Sequence, residues 1–213
     1  YFTREDLVDL INAFCIQTKD AKVIDPTCGT GTFLIRGYDR LKTLGEKTHT
    51  TLLSHLWGFD VAHFPAELAT INLYRQNIED YRNFPRILSK DFFDIKPTDS
   101  FKFPPPKATG DNDPRLQHSG TSFMIEEKLP AFDAAVGNFP YIRQELIEKR
   151  LKGYKEKLGR TLAQGWMKEY PDLFDSRGNL KLSGQADIYA YLFFHTARFL
   201  KEDGGRMGIV TSN

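Results

Sequence analysis

Asn138, Phe139, Pro140 and Tyr141 end a short apolar stretch with an amide, an aromatic, a rigid corner and a second aromatic. An ordinary strand-to-loop transition uses the same residue types, because Gly, Asn and Pro are common in turns. Three acids stand in comparable places: Asp25 after "KVI", Asp60 after "LWGF" and Asp91 after "RILSK". The segment "PTCGTGT" follows Asp25, and its Gly29 and Gly31 permit a tight turn and close backbone approach to a ligand. A helix starting there leaves free N–H groups. Leu34 stands where a dinucleotide fingerprint has its third glycine, and no Gly-Lys-Ser/Thr of a phosphate loop is present. Asp25 would repel a pyrophosphate and suits a cationic ligand end, an ammonium or a sulfonium. Asp60 can accept from both hydroxyls of a ribose. Asp91 can accept from the amino group of an adenine while Phe92 covers the ring. Singly, each acid reads as a solvated strand end. Together with Asn138 they form a row along one carboxyl edge, where open α/β sheets bind ligands.

Such a row requires strands that end together and helices that return the chain. Thr3 and Asp6 make a capping-box-like start to a helix carrying Leu7, Leu10, Ile11 and Phe14 at helical spacing. Strands are predicted at 22–25, 56–61, 86–93, 132–138 and 205–212, and further helices at about 33–44, 66–77 and 187–200. This alternation predicts an α/β fold, a mostly parallel sheet with helices on both faces. Two stretches interrupt it and are read as loop insertions, at about 101–130 and 143–183. The first holds "PPP", "TGDNDP" and "HSGTS", the composition of a long surface loop. Within the second, residues 143–168 carry eight Lys or Arg against three Glu. That surplus reads either as a solvated helical face or as a phosphate-facing segment placed directly after Tyr141. "PDLFDSRGNLK", 171–181, reads as a loop.

With 213 residues and 40% apolar composition, one domain with a substantial core is expected over 1–213. A net charge of +1 gives no strong field for nucleic acid or membrane. Cys15 and Cys28 are too few for a disulfide framework and fit a reducing, cytoplasmic setting. No apolar run approaches the roughly 20 residues of a membrane span, and there is no signal-peptide pattern. His49, His55, His63, His118 and His195 lack metal-ligand spacing, so packing or surface roles and no metal are expected. The chain opens on Tyr1 and stops after "RMGIVTSN", which reads as a fragment of a longer chain with C-terminal strands missing.

In order and spacing, "YFTREDLVDLI", "DPTCGTGTF", "GFDV", "KDFF" and "GNFPY" resemble motifs X, I, II, III and IV of the N6-adenine DNA methyltransferases. "ADIYAYLFFHTARFLKEDGGRMGIVTSN" resembles motif V and the strand after it. The order is that of the gamma arrangement, and "NFPYIRQE" followed by "DIYAYLFF" most resembles the fused enzymes of type I and type IIG restriction–modification systems. The resemblance spans nearly the whole chain. It implies a Rossmann-like class I methyltransferase fold, S-adenosylmethionine as methyl donor, and double-stranded DNA with a flipped adenine as substrate. A specificity region or subunit outside this segment is also implied. Cofactor contacts are implied at Thr3, at Asp25, Pro26, Cys28, Gly29, Gly31 and Phe33, at Asp60 and Val61, and at Asp91 and Phe92. The implied catalytic residues are Asn138, Phe139, Pro140 and Tyr141. The Asn138 side chain and the next backbone carbonyl would accept the two N6 hydrogens and localise the lone pair toward the methyl donor. Pro140 would fix the corner, and Tyr141 would stack on the extruded base. Where the family has Asn-Pro-Pro-Tyr or Asp-Pro-Pro-Tyr, Phe139 replaces the first proline. Similar motifs occur in enzymes that methylate RNA bases or a protein glutamine, and a non-catalytic cofactor-binding subunit is a further alternative. The insertions fit a modular DNA enzyme better than a compact glutamine methylator.

Overall fold

Hydrophobicity on both sides of the central strands is what demands a covering layer on each face, and the computed structural model has both. It describes residues 3–80, 83–104, 124–142, 152–178, 180–181 and 187–211. The strands are β1 (Val23–Asp25), β2 (Leu56–Asp60), β3 (Arg86–Ser89), β4 (Ser100–Phe103), β5 (Ile125–Lys128), β6 (Ala134–Asn138) and β7 (Arg206–Val210). Five of them form one parallel sheet in the order β3-β2-β1-β6-β7. Alternate side chains feed different cores. Val23, Leu56, Ala134 and Val136 face one side, and Ile24, Trp57, Phe59 and Ala135 face the other.

The first side is covered by α1 (Glu5–Cys15), α2 (Thr32–Thr43), α3 (His49–His55) and α4 (His63–Tyr74), through Val8, Leu34, Leu41, Leu52 and Ala69. The second is covered by α5 (Tyr154–Trp166) and α6 (Ile188–Ala197), through Leu158, Leu162, Ile188 and Leu192. Each fully buried aliphatic side chain contributes roughly 1.5–3 kcal/mol relative to exposure. Strand order reverses between β1 and β6, which opens a crevice at their carboxyl ends, the usual ligand position in such sheets.

Several elements differ from the sequence expectation. The third strand stops at Ser89, so Asp91 does not close it. Asp91 instead caps a 3-10 turn, Phe92–Asp94, accepting from the Phe93 N–H at 3.0 Å. A short polar side chain that bonds the backbone two residues on ends a strand in this way. The stretch read as loop at 101–130 begins and ends in β4 and β5, which pair antiparallel. Phe103 of β4 lies edge-on to Trp57 at 5.4 Å between ring centroids, so core burial holds this pair of strands to the sheet's second face. The stretch 143–183 contains α5. Helix α3 has no counterpart in the sequence reading. The segments "TGDNDP" and "HSGTS", His118, and residues 143–151 of the basic run lie outside the described residues. No helix among the described residues is long and apolar enough to cross a membrane.

Candidate active site

The turn between β1 and α2 takes its shape from two glycines in the left-handed region, Gly29 at φ 53° and Gly31 at φ 90°. A Cβ on Gly31 would lie 3.1 Å from the Ala69 side chain, so this glycine also permits α4 to pack against the turn. Asp60 fastens the turn from the neighbouring strand. One of its carboxylate oxygens accepts from the Gly29 N–H at 2.9 Å, and the other accepts from Ala62 at 2.8 Å. Asn72 of α4 donates to the Thr30 carbonyl at 3.0 Å, and Asn12 of α1 donates to the Phe33 carbonyl at 3.1 Å. Every wall of the turn is therefore tied to a different element.

Above this turn lies a cleft of about 580 Å3, within the range of small-molecule sites. Fourteen of the fifteen sequence-expected site residues line it: Thr3, Asp25, Pro26, Cys28, Gly29, Phe33, Asp60, Val61, Asp91, Phe92, Asn138, Phe139, Pro140 and Tyr141. Gly31 stands behind the turn it shapes. Tyr154, Ile188 and Leu192 also line the cleft, and the sequence reading missed them because they reach it only through the packing of α5 and α6.

Asp25 is completely buried, and its Oδ1 accepts from the Thr27 N–H at 3.0 Å. Burial, together with the charge of Asp60, pushes its pKa up to about 8. Gly137 makes the fit possible, since a Cβ there would stand 2.8 Å from Asp25 Oδ1. Burial also raises the Cys28 thiol well above its ordinary value, which makes it an inert lining group rather than a nucleophile. Val61 is exposed to 77% at the cleft, and Phe92 is buried against Phe59 and Phe199. His195 lies fully buried with Nε2 3.0 Å from the Phe92 carbonyl. Burial holds its pKa near 4, so the neutral imidazole serves as a packing donor.

Asn138 ends β6 with its amide divided. Its Nδ2 donates to Thr3 Oγ1 at 2.9 Å, and its Oδ1 is buried without a hydrogen-bond partner among the described residues. Phe139 turns its ring into the aromatic core at 1% exposure, and its N–H donates to the Val210 carbonyl at 3.4 Å. Pro140 and Tyr141 then lie along the cleft, where burial raises the tyrosine hydroxyl's pKa. Asp91 is already engaged, accepting from Tyr154 and Lys157 as well as from the Phe93 amide. Among the described residues, no group of three or more His, Cys, Asp or Glu is placed to hold a metal ion.

A parallel α/β sheet with acids and an asparagine at its strand ends defines an open α/β class whose ligand position is the carboxyl edge. Within that class the chain belongs to the N-6 DNA Methylase family, which matches residues 1–156. Among solved structures it is similar to the ATP-dependent Type ISP restriction-modification enzyme LlaBIII bound to DNA, at 21% identity and TM-score 0.58 over 98% of this chain. It is also similar to the DrdV–DNA complex, at 20% identity and TM-score 0.57 over 96% of this chain. A type I restriction–modification assembly matches at 19% identity and TM-score 0.54 over 98% of this chain. At these identities the likeness establishes the fold. The chain spans 14%, 20% and 31% of those three proteins respectively. None of the curated proteins matches.

Proposed function

We propose that this chain is the catalytic core of an adenine-N6 DNA methyltransferase of a restriction–modification system, with S-adenosylmethionine as methyl donor. The observation that carries the reading is the Oδ1 of Asn138, buried on the wall of the cleft with no hydrogen-bond partner among the described residues. An unsatisfied buried acceptor costs about 1–3 kcal/mol, a cost that a ligand's N–H would remove.

The residues present fit the cofactor. Asp25, buried with one backbone donor and a pKa pushed up to about 8, is set to receive a cationic group. Asp60 retains acceptor capacity for ribose hydroxyls beyond its two backbone bonds. Asp91 and Phe92, which line the cleft, would hold the cofactor's purine, and the glycine turn admits close backbone contact. When bound, S-adenosylmethionine supplies a methyl group on a sulfonium, whose C–S electron pair returns to sulfur as the methyl leaves.

The chain's own part in the chemistry is to prepare the nucleophile. Adenine N6 is weakly nucleophilic because its lone pair is delocalised into the ring. Asn138 Oδ1 and the Phe139 carbonyl accept its two hydrogens, favour a pyramidal nitrogen and localise the pair toward the methyl carbon. The surplus proton on N6 leaves to solvent after transfer. Pro140 restricts the corner so that these acceptors are oriented beforehand. The Tyr141 ring offers a stacking face for a base turned out of duplex DNA. A specificity region or subunit outside this segment would select the sequence, and the cytoplasm is the setting that two buried free cysteines suit.

Tritiated-methyl transfer to DNA, RNA and protein substrates tests the proposal. The expected result is label on DNA adenine N6. Asn138→Ala should lower kcat by at least ~100-fold while cofactor affinity stays within a few-fold. Label confined to RNA or to a glutamine side chain would reassign the substrate, and an Asn138→Ala protein as fast as the parent would remove the mechanism.

A further inference from the structure

Helix α5 brings Tyr154 to the cleft and Lys157 to one of the cleft's carboxylates, and no motif accounts for either. The Tyr154 hydroxyl donates to Asp91 Oδ2 at 2.9 Å, and Lys157 Nζ donates to the same oxygen at 2.8 Å. Lys157 also bridges to Asp94 at 2.7 Å, and its Nζ lies 5.2 Å from the centre of the Tyr154 ring. The other Asp91 oxygen accepts from the Phe93 N–H at 3.0 Å. Among the described residues, three of about four acceptor positions on this carboxylate are thus occupied, leaving one for a ligand.

The helix is firmly placed. Leu158 and Leu162 are fully buried, Trp166 Nε1 donates to the Phe194 carbonyl at 2.9 Å, and Arg198 donates to the Thr161 carbonyl at 3.4 Å. Its i and i+3 positions put Tyr154 and Lys157 on one face. Burial draws the Lys157 ammonium's pKa down, but its hydrogen bonds to Asp91 and Asp94 and their negative charges together outweigh this and leave it raised.

We propose that Tyr154 and Lys157 are positioning residues for base recognition: they lock the Asp91 carboxylate so that its one open lobe reads the exocyclic group of the cofactor's purine. This rests on the S-adenosylmethionine reading above. A locked acceptor does two things. It attracts the amine of adenine, and it repels the carbonyl that hypoxanthine carries at the same position. A carboxylate free to swing does neither well, so selectivity between the two bases depends on the lock.

The test is calorimetric binding of S-adenosylhomocysteine and of S-inosylhomocysteine, its deaminated analogue, to the chain and its variants. The parent should prefer the adenine compound by about ten-fold or more. Lys157→Met and Tyr154→Phe should bring that ratio toward one, mainly by weakening the adenine compound. Lys157→Arg, which keeps charge and donors, should restore most of it. A ratio taken within one variant cancels any unfolded fraction. Equal weakening of both ligands, or an unchanged ratio, overturns the positioning role while leaving the cofactor assignment standing. Failure of the parent to bind S-adenosylhomocysteine overturns the cofactor assignment and this inference with it.

Discussion

Asn138 and Thr3 stand 135 residues apart in sequence, yet they are joined by one hydrogen bond of 2.9 Å. The sequence assigns Thr3 to the cofactor by resemblance. The structure gives it a protein partner, since its hydroxyl holds the amide nitrogen while the Asn138 carbonyl oxygen, at the cleft, has no partner among the described residues. If that hold matters for chemistry, Thr3→Val, which keeps the shape and removes the acceptor, should lower kcat about ten-fold. Cofactor affinity should move by less than about three-fold, and Thr3→Ser should recover the rate. Single-turnover kinetics beside calorimetry check this. A variant that loses affinity in proportion to rate would return Thr3 to a purely cofactor-binding role.

Phe139 shows how an element can replace a missing constraint. A proline before Pro140 would stiffen the corner from within, whereas Phe139 stiffens it from below. Its ring is buried in the core at 1% exposure, and its N–H reaches the Val210 carbonyl of β7. Restoring proline at this position would delete the buried ring and the donor together. Phe139→Pro should therefore destabilise the fold by about 3 kcal/mol or more, on the scale of other large losses from a core, and thermal unfolding reads it directly. A melting temperature equal to the parent's would show that the ring anchors nothing. The same element scale explains what the sequence left dark. Short apolar runs such as "KVID" and "LWGFD" gave the central strands, because strands buried on both faces have little other reading. β4 and β5 were missed because each is only half-buried, and a solvated helical face was one of two readings of the run that holds α5; the partners of all three lie far away in the chain. Arg86 of β3 reaches Glu127 of β5, and Lys157 of α5 reaches Asp91, contacts that no local pattern announces. The strand-end acids were legible as a row. That Asp91 stands in a turn beyond its strand, held from α5, was not.

At the scale of the whole molecule, Asp25 ties the cleft to global stability. It sits at the centre of the sheet, fully buried, with its pKa pushed up to about 8 by burial and by Asp60. In the unfolded chain the same carboxyl titrates near ~3.9. Between these values the folded protein keeps a proton that the unfolded chain has released. The stability due to this group is therefore fully present below about pH 4 and is lost as pH rises through about 8. A cation bound beside Asp25 reverses the preference, because it favours the ionised form and must expel the proton to do so. Cofactor affinity should rise by up to about ten-fold per pH unit from pH 6 and level off near 8. The thermal shift produced by a fixed excess of S-adenosylmethionine should grow over the same range while the ligand-free melting temperature falls. Asp25→Asn carries no titrating proton, so its affinity should be weaker and its slope between pH 6 and 8 flat. Parallel pH titrations of the parent and Asp25→Asn by calorimetry and thermal unfolding decide the matter. If the parent's affinity is as flat as the variant's, Asp25 is already ionised before the ligand arrives, and the cation-receiving role loses its support.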